Sequence, residues 1–167
     1  MKLMSANIED LRSLYISNLK KALDMEQKIT KALPDLIEKS TDSELSSAFR
    51  THLEETKGHV AKVQQLLQKN NGKADTETCK VIDGLTTEAS DTIKDVTDPS
   101  IRNVALIGAA QQVEHHEIAV YGTLRRWADL LGLTDDSRVL LSIEKEEANA
   151  DKLLTQISER VNVQAAA

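Results

Sequence analysis

Chain breakers are scarce: six glycines and two prolines interrupt 167 residues. Sheet proteins need frequent turns, and their strands favour aromatic and β-branched residues. The aromatics here are only Tyr15, Phe49, Tyr121 and Trp127. Ala, Leu, Glu, Lys and Gln, the strong helix formers, are plentiful instead. The expectation is an all-α chain of few, long helices. Its length suits a single domain over 1–167 with a real hydrophobic core.

Apolar spacing locates the helices. A first helix is predicted from near Asn7, which can cap free N–H groups, with Glu9 and Asp10 in its first turn. Ile8, Leu11, Tyr15, Ala22, Met25, Ile29, Leu33 and Leu36 follow in steps that make one apolar stripe. Pro34 inside that stripe predicts a kink or an early end. Thr41 and Glu44 have capping-box spacing and open a second helix through Phe49, Val60, Val63 and Leu67. Asn70-Asn71-Gly72 stops it. Between Lys73 and Asp98, Cys79, Ile82, Leu85, Ala89 and Ile93 keep helical spacing, so a shorter helix is expected there. Asp98-Pro99 starts a third long helix, a cap followed by Pro at the first helical position. Gly132 ends it after about Leu131. Thr134 or Asp135 caps a fourth, which runs to about Val161, with a frayed tail over Val163–Ala167. A short third-to-fourth loop makes those helices antiparallel. The long second-to-third connection spans the bundle and makes those two parallel. One long crossover in a four-helix bundle is the ferritin-like plan.

Charge and cysteine count exclude some settings. Lys+Arg is 21 against Asp+Glu 27, a net −6, and no basic block marks a nucleic-acid surface. A single cysteine, Cys79, makes no internal disulfide and fits a reducing compartment. No signal-peptide h-region and no apolar run of membrane length is present. The chain reads as cytoplasmic, with neither nucleic acid nor membrane as partner.

The informative residues are carboxylates on apolar stripes. Residues three, four and seven apart share a helix face. Glu26 lies among Leu19, Ala22, Leu23, Ile29 and Leu33. Glu114 lies among Ile107, Ala110, Ile118 and Tyr121, with Glu117 joining it. Glu147 has Leu140, Ile143, Ala150 and Leu154 around it, with Asp151 four residues on. On the second helix His52, Glu55 and His59 share a face with Leu45, Ala48, Val63 and Leu66. Glu54 faces Ser47, Arg50, Lys57 and Gly58, and so points out. Burying an unpaired carboxylate costs several kcal/mol. Converging carboxylates therefore need cations, and carboxylate with imidazole suits iron or manganese. A di-metal carboxylate bundle is the natural solution.

The segments His52-Leu-Glu-Glu-Thr56, Val113-Glu-His-His-Glu-Ile-Ala119 with Tyr121-Gly122, and Met25-Glu26 with Lys31-Ala-Leu-Pro34 resemble the YciE/YciF family of bacterial ferritin-like proteins. The resemblance covers nearly the whole chain. It implies a homodimer, a link to bacterial stress responses and a rubrerythrin-like two-metal site. Carried over, that site is Glu26, His52, Glu55, Glu114, Glu117 and Glu147. The superfamily pattern Glu-x-x-His is missing, because Gly58 and Ala150 stand where its histidines would. The nitrogen then comes from His52 or His59, and the fourth helix offers only Glu144 or Asp151 as a further ligand.

The implied function is a stress-response protein with two iron ions, alternatively manganese, reacting with peroxide or dioxygen. A non-enzymatic structural or partner-binding bundle is the other reading. His115 and His116 are expected at the surface or behind the ligands. Tyr121 and Cys79 are expected as core packing, and Trp127 in the core or a dimer interface.

Overall fold

The computed structural model describes residues 8–167, and all regular structure in them is helical. α1 spans Leu11–Lys39, α2 Ser43–Asn71, α3 Lys80–Asp95, α4 Pro99–Leu130 and α5 Thr134–Ala166. The four long helices bury their apolar stripes in one core containing Tyr15, Leu19, Leu23, Phe49, Leu106 and Leu140.

The expected cap at Asn7 lies outside the described residues. Asp10, expected inside the first turn, is the N-cap of α1 and accepts from Ser13 N–H. The helix passes through Pro34 without ending. Leu33, just before the proline, is buried, and Leu36 and Ile37 beyond it pack on the core. That packing outweighs the missing backbone hydrogen bond. Asp42, not Thr41, caps α2 by accepting from Leu45 N–H. The Thr41 hydroxyl is taken by Asn103 of α4, which donates to it at 2.9 Å. Gly72 and Gly132 both have φ 72°, a left-handed conformation that glycine adopts without a Cβ penalty. Asp98 caps α4 with Pro99 next to it, accepting from Ser100 and Ile101 N–H. Neither Thr134 nor Asp135 caps α5, because Leu133 occupies the N-cap without a side-chain bond. Asp135 and Asp136 lie in its first turn instead, where negative charge meets the helix dipole favourably. α5 also continues past Val163 to Ala166.

Contacts between helix ends fix the directions. The α1–α2 turn meets the start of α4 through Thr41 and Asn103. Tyr15, early in α1, meets Asp136 at the start of α5. Lys69 and Asn70, at the end of α2, meet the same Asp136. Arg160, late in α5, meets Asp42 and Glu44 at the start of α2. α1 is therefore antiparallel to α2 and to α4, α5 is antiparallel to α2 and to α4, and α2 runs parallel to α4. The crossover that permits this lies along α1. Ser17 bonds Glu77, Lys20 pairs with Asp75, and Asp24 accepts from Cys79 N–H. Lys28 bridges Asp24 and Asp83. α3 packs on α1 and α4. No helix among the described residues is long and apolar enough to cross a membrane.

Candidate metal centre

Midway along the bundle the apolar layers are interrupted by one polar layer. α1 contributes Glu26, α2 His52 and His59, α4 Glu114 and Glu117, and α5 Glu147. Exposure is 0% for Glu26, His59, Glu117 and Glu147, 3% for Glu114 and 6% for His52. His52 and His59 are seven residues apart, two helical turns, so both face the same way.

The donor atoms form two groups. In one, ligand atoms of His52, Glu114, Glu117 and Glu147 all lie within 4.8 Å of one another. In the other, those of Glu26, His59 and Glu147 do. Glu147 belongs to both. His52 Nε2 is 3.1 Å from Glu114 Oε1 and 3.9 Å from Glu147 Oε2. His59 Nδ1 is 2.8 Å from Glu147 Oε1 and 3.6 Å from Glu26 Oε1. Tyr121, buried beside this group, donates its hydroxyl to Glu26 Oε1. Its ring meets His59 edge-on with centroids 6.4 Å apart.

Around the centre, Glu146 lies 2.5 Å from His59 Nε2, and Lys62 donates to Glu146 at 3.1 Å. Glu55 sits at the rim. Its side chain is 37% exposed, and Oε2 lies 3.6 Å from His52 Nδ1. It belongs to neither donor group. Glu144 turns away to pair with Arg125 at 2.7 Å. A Cβ at Gly122 would stand only 3.0 Å from Glu144 Oε1, so glycine leaves that route open. Asp151 is engaged by Gln111 and lies 3.4 Å from exposed His115. His116 is half-buried, 3.7 Å from Cys79 Sγ.

The electrostatics are those of a site short of positive charge. Burial, followed by the negative charge of Glu147, pushes the Glu114 and Glu117 carboxyls well above the usual range. Burial also raises Glu26, against the pull of His59. Burial alone would lower His59, but the Glu147 and Glu26 carboxylates outweigh it and raise the imidazole to about 11. Among the described residues, no lysine or arginine comes within ion-pair distance of Glu26, Glu114, Glu117 or Glu147.

Nine buried side-chain atoms make no well-aligned hydrogen bond: Glu26 Oε2, His52 Nδ1 and Nε2, His59 Nδ1, Glu114 Oε2, and both oxygens of Glu117 and of Glu147. The contacts of His59 Nδ1 with Glu147 and of His52 Nε2 with Glu114 are ion-pair contacts within the cluster itself. Buried polar groups are nearly always hydrogen-bonded, and each orphan costs about 1–3 kcal/mol. All nine are carboxylate oxygens or imidazole nitrogens, the donor types that hold iron or manganese. The residues present therefore fit a metal pair better than a closed hydrogen-bond network.

His59 is the donor that spacing left undecided. Its assignment depends on Glu146 and Glu147 arriving from α5. Tyr121 reads as core packing in sequence because a buried tyrosine needs only one partner; here that partner is Glu26.

Residues 10–167 match a family described as a domain of unknown function, DUF892. The chain is 35% identical over 153 residues to protein YciF of Escherichia coli K12, covering 91% of this chain and 92% of that protein. Two solved structures superpose with a TM-score of 0.88. One is YcfI of Rhodopseudomonas palustris, 38% identical and covering 91% of this chain and 97% of that one. The other is the Escherichia coli stress protein YciF, 33% identical, covering 92% and 98%. A Xanthomonas campestris protein, 22% identical over 92% of this chain and 94% of its own, has the same fold with a TM-score of 0.73.

Proposed function

The chain belongs to the DUF892 family of YciF-like proteins, and on that premise we propose that it is a two-metal carboxylate protein of the bacterial stress response. The observation that carries the reading is the set of nine buried donor atoms on all four long helices that make no well-aligned hydrogen bond and converge in two groups. A structural bundle has no use for such a layer, since leucines there would be more stable.

Glu147 lies in both donor groups and is the residue that two bound ions would share. His52, Glu114 and Glu117 complete one position, and Glu26 and His59 the other. His59 keeps its Nε2 proton for Glu146, which turns the Nδ1 lone pair inward. Glu55 is the carboxylate nearest the outer nitrogen of His52, at 3.6 Å, which is beyond hydrogen-bond distance. Tyr121 fixes the rotamer of Glu26 through its hydroxyl. Two reduced iron or manganese ions held here would supply the two electrons that, with two protons from solvent, convert one hydrogen peroxide into two waters. The apolar layers above and below keep bulk water out. All donors come from one chain, so the site is complete in each protomer of the proposed homodimer.

The test is a metal count. Protein purified without chelator and loaded anaerobically with Fe(II) or Mn(II) is expected to hold two ions per chain. Glu147→Ala should lose both ions together, because it removes the shared ligand. A wild type that stays metal-free after loading, with an unchanged melting temperature, overturns the reading. It would leave a structural or partner-binding stress protein whose inner carboxyls are protonated.

A further inference from the structure

A cavity of about 200 Å³ lies between α1, α2, α3 and α4. Its walls are mostly apolar, with Leu33 from α1, Phe49 from α2, Ile93 from α3 and Val113 from α4, and with Thr86 and Ser90 of α3 as their polar members. Ala32, Ala89, Ala109 and Ala110 face it from three helices, and larger residues there would close it. Exposed Asp35 lies at its outer rim. At its inner end stand His52 and Glu114, more than nine-tenths buried and with unpartnered atoms.

We infer that this cavity binds a small, uncharged, mostly hydrocarbon molecule and directs its single hydroxyl or hydroperoxide group toward His52 and Glu114. The inference deepens the metal reading, and rests on it for what the head group meets. Volume sets the size of the ligand. An apolar cavity of about 150 Å³ admits benzene, so this one has room for a ring or short chain with one head group. Wall chemistry disfavours sugars and nucleotides, because Ser90 and Thr86, whose hydroxyl already donates within its own helix, are too few to answer their many polar groups. Charge excludes acids. The lining has no lysine or arginine, so in the metal-free chain a buried carboxylate head would lose its hydration with no lysine or arginine to pair with. The metal pair already answers the inner carboxylates, which removes any need for a cationic head. What remains is an alcohol or an organic hydroperoxide.

Binding is tested on the metal-free full chain, so the result does not depend on the metal. Benzyl alcohol is titrated against protein with labelled alanine methyls. Saturable shifts are expected at Ala32, Ala89, Ala109 and Ala110, and benzoate at neutral pH should bind at least tenfold more weakly. Ala109→Leu and Ala89→Leu each fill the cavity from a half-buried wall position. Each should weaken benzyl alcohol at least tenfold while the metal count per chain stays at the wild-type value. If one variant misfolds, the other carries the test. Unmoved methyls, equal affinity in the filled variants or equally tight benzoate overturns the inference. Saturable shifts in a chain that takes up no metal support the cavity site and overturn the metal reading alone.

Discussion

Single residues carry opposite burdens in this bundle. Glu114 and Glu117 hold protons in the metal-free folded chain that they release when unfolded, because burial and the charge of Glu147 raise them. Their contribution to stability is full below about 4.5, the unfolded value, and is lost as pH rises through the raised folded values. His59 acts in the same direction between its unfolded 6.5 and about 11. Asp10 and Asp42, held low by their partners, lose their contribution only as pH falls below 3.8. In chelator, the melting temperature should therefore fall steadily from pH 5.5 to 8.5. Glu114→Gln should flatten that fall and stabilise the metal-free chain at pH 8 while weakening metal binding. A flat wild-type profile would show that these carboxyls are not held protonated. Asp136 is the contrasting case, a buried carboxylate whose partners are all present. It accepts from Tyr15 at 3.1 Å, Lys69 at 2.7 Å and Asn70 at 2.6 Å. Asp136→Ala strands the Tyr15 hydroxyl and is expected to cost about 2–3 kcal/mol in urea unfolding. Metal content should not change.

At the scale of the element, α2 and α4 show how neighbours decide burial. Successive residues on a helix are turned by about 100°, so positions three apart differ by about 60°. Glu55 is that far from His52 and reaches the rim, since α2 packs mainly on α1 and α5. Glu117 is equally far from Glu114 and is fully buried, since α4 is covered by α1, α3 and α5. The crossover helix thus widens the inward face of α4 and roofs the cavity. α1 illustrates packing against propensity. Pro34 is exposed within a continuous helix, and its ring removes one backbone hydrogen bond. Pro34→Ala should raise stability by roughly 1–3 kcal/mol, read as a higher urea midpoint at unchanged slope. A loss of stability would mean that the proline bend is needed for α1 to reach its partners.

For the whole molecule, the net charge of −6 hides two populations. Most acidic groups sit on solvated faces or in ion pairs such as Arg160 with Asp42 and Glu44. A few converge on one buried layer, where they oppose the fold unless neutralised. Metal that binds only the folded chain adds about 2.7 kcal/mol at a hundred times its dissociation constant. Adding Mn(II) anaerobically is therefore expected to raise the melting temperature and to reverse its decline with pH, because protons then compete with the ion. Glu147→Ala should lose both effects. The bundle itself was legible from apolar periodicity, from the Asp98-Pro99 start and from the stops at Gly72 and Gly132. Helix caps were less so, because Thr41 found a tertiary partner in Asn103.

Sequence by itself determined most of the residues that face inward, Glu55 excepted, since helical geometry ties side-chain direction to spacing. That is enough to set Glu26, Glu114, Glu117 and Glu147 among leucines and Glu54 outside. Only the tertiary structure decided which inward groups meet. His59 joined the cluster through Glu147, and Glu55 stayed at the rim. Depth and rotation depend on how far each helix is covered by its neighbours, and no single helix encodes that.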